Sequence, residues 1–314
     1  MSTDNVVWDR LFHAYGAASS APVYLAALRR DELAEVAVDS ADYYPAKGVP
    51  YSYLWSALYC GGRLTPATAA ALPLLARWIG EPGFGGNDPT MREGVIWFFR
   101  EVARTVCGEP DMELLRELAR TRDDPVIAAW LDEYLIGRRS VLDWTDADEP
   151  GKALLAAAVV DCFDLLPELF AAVEPMLYHG ARQRTRTVAA SATVMLVRHP
   201  VLSLRRADVL RELLRQADVV NDPYCRASLL LDVGDLGGDP RAWLDDPHVG
   251  VRLCAALAPA LAGDRDAVQV LVTAARNPAG MDQAFGSMYL PQLAGHLAEV
   301  VVRAATQRSA NLGQ

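Results

Sequence analysis

Six aromatic side chains crowd into 17 positions of the stretch SADYYPAKGVPYSYLWSALYCGG, residues 40–62: Tyr43, Tyr44, Tyr51, Tyr53, Trp55 and Tyr59. A tyrosine ring offers a large apolar face and a hydroxyl at its tip, a combination suited to recognition surfaces. Spacing separates the six into two groups. Tyr51, Leu54, Trp55, Leu58 and Tyr59 fall at i, i+3, i+4, i+7 and i+8, one stripe of a helix, and packing accounts for them. Tyr53 lies on another face. Tyr43 and Tyr44 precede the loop PAKG, and loops on a rigid scaffold often carry binding residues. Tyr43, Tyr44 and Tyr53 are therefore the candidate binding tyrosines, with packing as the competing account.

A second group is basic. Residues 179–215 hold Arg182, Arg184, Arg186, Arg198, Arg205, Arg206, Arg211 and Arg215 against Asp208 and Glu212. Arg182 and Arg186 are four apart and share a helix face. His179 stands just before that helix, near an N-terminus whose partial positive charge favours an anion. His179, Arg182 and Arg186 are thus candidates for holding a carboxylate, a phosphate or an acidic protein segment. Solvated faces and ion pairs between neighbouring helices would use the same residues.

The remaining chemistry-bearing residues form no recognisable site. LDVGDLGGDPRAWLDDPH, residues 231–248, is dense in carboxylates, but its spacing matches no calcium loop, and two of its aspartates precede proline as helix caps do. Cys60, Cys107, Cys162, Cys225 and Cys254 are far apart, odd in number and set in apolar runs, which reads as reduced thiols in a cytoplasmic protein. No HExxH, GxSxG, phosphate loop or GxGxxG is present, so the sequence calls for no metal and no cofactor. Catalysis stays open, because helices can build a pocket from residues distant in sequence.

Helices must position all of these groups. In REGVIWFFREVARTV, Val95, Phe98, Phe99, Val102 and Val106 form one apolar stripe, and Leu114, Leu115 and Leu118 repeat the pattern. The spacing predicts helices near 4–16, 21–37, 50–60, 66–80, 90–107, 111–121, 125–137, 151–163, 165–177, 181–198, 204–217, 223–234, 247–262, 265–276 and 281–305, the last interrupted by Pro291. Asp-Pro recurs at 88–89, 124–125, 222–223, 239–240 and 246–247. Aspartate at an N-cap accepts from an orphan N–H, and proline at N1 gives up an N–H that had no partner. Repeated use of one helix-start device points to a repeated unit. The chain has 314 residues and 52 % hydrophobic residues, enough for either two cores or one elongated array of layers.

The clearest unit is residues 244–278, read as two helices with Asp246 capping the first and Asp264 or Asp266 starting the second. Its segment DDPHVGVRLCAALAPAL, with Asp-Pro, Val251-Arg252 and a small-residue run, resembles a HEAT repeat. NDPYCRASLLLDVGDL, HGARQRTRTVAASATVML and NDPTMREGVIWFFREVA echo it. WDRLFHAYGAASSAPVYLAAL (8–28) and LWSALYCGGRLTPATAAALPLLARW (54–78) resemble an actinobacterial group of HEAT-like proteins, in which many members read His-Gln-Gly where this chain has Cys60-Gly61-Gly62. The resemblance implies an α-solenoid and no single activity.

The expected fold is therefore all-α, an α-solenoid of degenerate HEAT-like helix pairs over 1–314, with Tyr-rich layers at 1–80, middle layers at 81–177, C-terminal layers at 178–306 and a tail at 307–314. A net charge of −10 disfavours nucleic acid as a partner. The N-terminus has no signal-peptide pattern, and no apolar run is long enough for a bilayer. The sequence points to a scaffold for a protein or peptide partner, such as an immunity protein or adaptor. The alternative is a small-molecule site, perhaps of an enzyme of specialised metabolism, lined by Tyr and Arg and suited to a small anionic ligand.

Overall fold

A computed structural model describes residues 6–30, 50–85, 89–137, 148–178, 182–277, 280–281, 284–285, 290, 292–293 and 295–312. The described chain is mostly helical, with only two two-residue antiparallel strand pairs. It divides into two compact units: residues 1–175 with 198–202, and residues 176–197 with 203–314.

The N-terminal unit opens differently from the helix expected at 4–16. A single 3₁₀ turn, Trp8–Arg10, leads into the strand pair β1 (Phe12–His13) and β2 (Gly16–Ala17), with Phe12 opposite Ala17. Ala14 and Tyr15 form the turn between them, and Gly16, which closes it opposite His13, has φ 129°, a conformation open to glycine. Helix α1 (Ala21–Arg30) follows, then α2 (Pro50–Tyr53). One π-helical turn, Leu54–Leu58, ends α2 and passes into β3 (Tyr59–Cys60), paired with β4 (Arg63–Leu64). Such a turn carries an extra residue and displaces every later side chain from its α-helical position.

Helix α3 (Pro66–Ile79) starts at a capping box, in which Thr65 and Thr68 bond reciprocally and Pro66 occupies N1. Helices α4 (Pro89–Cys107), α5 (Met112–Ala119), α6 (Pro125–Leu135), α7 (Glu149–Asp164) and α8 (Leu166–Val173) follow, and the short α9 (Pro175–Tyr178) belongs, from Met176 on, to the C-terminal unit. Helix α3 packs on α7 and α8, and α7 also meets α4, α5 and α6. Phe12, Ile127, Trp130, Tyr134, Ala153 and Leu154 form one core cluster, within which Tyr134 stacks on Trp130 at 5.4 Å and meets Phe12 edge-on at 5.0 Å.

The C-terminal unit is built from α10 (Gln183–Leu196), α11 (Arg206–Val219), α12 (Pro223–Asp235), α13 (Val249–Ala256), α14 (Arg265–Ala275) and α15 (Leu297–Leu312). Helix α12 packs on α10, α11 and α13, and α14 packs on α13 and α15. Helices α10, α12 and α13 are buried almost throughout, whereas α11 and α14 bury one face and expose the other. The chain expected to trail off at 307 continues as helix to Leu312.

Candidate functional site

The expected site residues divide between the two units. Tyr43, Tyr44 and His179 lie outside the described residues. Tyr53 belongs to the N-terminal unit and is 1 % exposed. Its ring stacks on Tyr24 at 4.6 Å with 7° between planes, and His13 stands edge-on to it at 5.7 Å. Nδ1 of His13 accepts from the Tyr15 N–H at 3.1 Å, which places the proton of a neutral ring on Nε2. These rings form a packed aromatic centre beside the π turn.

The stripe residues sit next to it. Trp55 meets Phe98 edge-on at 5.7 Å and Tyr59 at 5.9 Å. The Tyr59 hydroxyl is 2.8 Å from Thr105 Oγ1 and accepts from Arg104 Nη2 at 3.2 Å. Tyr51 lies against Gly94 of α4 so closely that a Cβ on Gly94 would stand 2.4 Å from its ring. Burial raises the Tyr51 pKa, with the Trp55 side chain opposing.

In the C-terminal unit, Arg182 is the exposed N-cap residue of α10, and its carbonyl accepts from the Arg186 N–H at 3.0 Å. Arg186 lies near Glu212 of α11, whose pKa is lowered first by its bond with Arg215 and also by the Gln216 amide and Arg186. Gln216 of α11 donates to the Leu177 carbonyl at 2.8 Å, just upstream of α10. The C-terminal half of α11 therefore lies beside Arg186 in the first turn of α10. Arg186 and Arg215 both act on Glu212, whereas Arg205 and Arg206 stand at the opposite end of α11.

Asp246 does not cap α13 as expected. The N-cap is His248, and Asp246 Oδ1 accepts from the His248 N–H at 2.8 Å. Its other oxygen accepts from Arg226 Nη1 at 2.8 Å, and Arg226 Nε also donates to the Ala217 carbonyl at the end of α11. One guanidinium thereby ties α11, α12 and the entry to α13. Asp124, Asp222 and Asp264 do cap helices through their side chains.

A polar cluster lies inside this unit that the sequence reading did not single out. Asp232 of α12 is fully buried and accepts from Ser191 Oγ of α10 at 3.2 Å. Gln292 Nε2 lies 2.6 Å from Ser228 Oγ and 3.3 Å from Asp232 Oδ2. The one hint in the sequence is that Ser228 and Asp232 stand four apart inside an otherwise apolar helix. The Gln292 Oε1 is buried and accepts no hydrogen bond. An unpaired buried acceptor costs about 1–3 kcal/mol.

Gln292 borders a cavity of about 290 Å³ between α12, the end of α13 and α15. Arg303 and Arg308 of α15 share its lining with Asp235 of α12. Arg308 donates to the carbonyls of Ala256, Leu257 and Ala258 at 2.6, 2.7 and 3.3 Å, closing the C-terminus of α13. Burial lowers its pKa. Among the described residues no group of three or more His, Cys, Asp or Glu side chains is placed to hold a metal, and no helix is long and apolar enough to cross a membrane.

The chain matches no known protein-family model, no curated protein and no solved structure.

Proposed function

We propose that the protein is a HEAT-like α-solenoid scaffold that holds a protein or peptide partner. The observation that carries this reading is the layering of the C-terminal unit. Successive helices pack on their sequence neighbours, α12 reaches back to α10 as well, and Arg226 links α11, α12 and the entry to α13. An array in which each layer contacts mainly its neighbours offers a continuous surface for a partner, which is the common use of such architecture.

The partner side of the proposal rests on Arg182 and Arg186. They start α10 on one face, Arg182 is exposed, and the basic end they form suits an acidic segment. The test is quantitative affinity capture from the native host with the full chain and with Arg182→Ala/Arg186→Ala. The expected result is a specific protein retained by the parent and reduced at least tenfold by the double variant. Enrichment of no protein over a tag-only control would overturn the scaffold reading.

A further inference from the structure

We infer that the N-terminal unit carries a docking groove for an extended segment of a partner protein in which Lys or Arg side chains flank an apolar one. The groove belongs to the other unit from Arg182 and Arg186, suits a segment of the opposite charge and stands without the scaffold reading.

The groove lies between the outer face of α6 and the start of α7 and has a volume of about 490 Å³. Pro125, Val126, Ala129, Trp130 and Pro150 give it an apolar floor, and Glu133 and Asp148 supply carboxylates. Pro125, Ala129 and Glu133 fall at i, i+4 and i+8, one line down the helix. That line is turned away from the core: Ile127 and Tyr134 are buried, whereas Pro125, Ala129 and Glu133 are exposed and Val126 is 68 % exposed. Beneath these side chains Trp130 is held from three sides. Tyr134 stacks on it at 5.4 Å, its Nε1 donates to Asp148 Oδ2 at 2.8 Å, and a Cβ on Gly151 would stand 3.2 Å from its ring. The floor is therefore preformed, and a partner binds without having to order it.

Charge selects the partner. Among the described residues from Asp123 to Lys152, Asp123, Asp124, Asp132, Glu133, Asp148 and Glu149 stand against Lys152 alone. Arg10 pairs with Asp132, so six carboxylates less two cations leave this corner at −4. Arg122, just before it, is committed to Asp161. The intervening residues 138–147 hold two arginines and two aspartates and add no net charge. Bonds formed within the stretch redistribute this charge without cancelling it. Carboxylates around an apolar floor attract Lys and Arg and repel nucleic acid and anionic membrane surfaces.

Shape sets the rest. With Pro125, Val126 and Ala129 exposed, the groove is an open trough. A small cation would stay largely in water there, whereas a chain segment laid along it covers the floor. From Pro125 to Glu133 the helix axis rises about 12 Å, the length of about four extended residues. Alternate side chains of an extended segment face the same way, so a basic, an apolar and a second basic residue, each two apart, reach the groove together. Ile136, one residue past α6 and also exposed, continues the same edge.

The test is an NMR titration of the full chain with the peptide Lys-Ser-Leu-Ser-Lys, acetylated and amidated at its ends, followed at the Trp130 indole N–H. Two control peptides carry Glu for both Lys, or Ser for Leu. The first peptide is expected to bind saturably, and each control at least fivefold more weakly. Raising NaCl from about 50 to about 500 mM should weaken the first peptide severalfold. Val126→Lys is expected to weaken it at least fivefold while the unfolding temperature stays that of the parent, because this side chain is exposed. The inference is overturned if the first peptide gives no saturable shift up to about 10 mM, above the millimolar range of weak ligand sites. It is equally overturned if either control binds as well, if Val126→Lys binds the peptide unchanged, or if n-butylammonium binds as tightly, which would make the groove a small-cation site.

Discussion

Replacing Arg226 by methionine should destabilise the C-terminal unit far more than loss of an ordinary surface charge. The Arg226 and Asp246 side chains are only 19 % and 5 % exposed, and their atoms meet at 2.8 Å. Arg226→Met keeps the apolar stem, removes the bond to the Ala217 carbonyl and leaves the Asp246 carboxylate buried opposite a thioether. Breaking a buried pair from one side costs about 3–5 kcal/mol; the partial exposure of Arg226 places the expectation near about 3 kcal/mol. Asp246→Asn keeps an acceptor for the His248 N–H and should cost about 1–2 kcal/mol. The double variant should be less harmful than the sum, with a coupling of about 1–2 kcal/mol. Amide exchange of α12 in rising urea reads the local stability directly. An Arg226→Met loss below about 1 kcal/mol, the scale of exposed pairs, would refute the assignment of this pair as a buried tie. So would a cycle additive to within about 0.3 kcal/mol.

Other expectations follow from single groups. Asp222→Ala and Asp264→Ala remove side-chain caps and should each cost about 1 kcal/mol, whereas exposed Asp266→Ala should stay within about 0.5 kcal/mol by urea midpoint. Tyr53→Ala deletes a buried stacked ring and should cost about 3–5 kcal/mol; a loss under about 1 kcal/mol would show that the aromatic centre is not packed. Burial lowers the His199 pKa, Asp164 opposes this and Arg116 adds to it. A base whose folded pKa lies below its unfolded value of about 6.5 loses stability as pH falls through that value, so urea midpoints should decline below about pH 6.5 and His199→Gln should flatten the decline. Burial pushes the Cys107 and Cys225 thiols up to about 11, and Cys162 and Cys254 are fully buried with pKa values raised further. Iodoacetamide at about pH 8 should therefore leave Cys162 and Cys254 unlabelled until the chain is unfolded, as mass spectrometry would show.

Local signals with local causes were the legible ones. Asp124 and Asp222 each precede proline and each bonds an N–H of its own first turn, so sequence and structure agree there. Asp246 also precedes proline, yet its carboxylate is turned to Arg226, 20 positions away, and no spacing rule reveals that. The stretch 4–16 reads as a helix, but the turn at Ala14–Tyr15, closed by Gly16 at φ 129°, makes its second half one arm of a strand pair. The stripe from Tyr51 to Tyr59 is only partly helical: the π turn delivers Tyr59 into a strand, and Trp55 still meets it edge-on. Tyr53, off that stripe, is buried by Tyr24 and His13 from separate segments. No spacing rule exposes the polar cluster, because Ser191, Asp232 and Gln292 come from segments more than 40 positions apart.

The contact between Gly94 and Tyr51 constrains how this sequence can drift over generations. Phe285 repeats the arrangement in the C-terminal unit, where a Cβ on Gly250 would stand 2.3 Å from its ring. In each pair the bare backbone is the seat and the ring is the occupant. Evolution can alter such a pair in one order only: the aromatic side chain must shrink before the glycine can acquire a side chain. Among descendants, alanine or larger at 94 should therefore travel with a small residue at 51, and the same bookkeeping should link 250 with 285. A lineage that broke the order would have to push the ring out of its seat on the backbone.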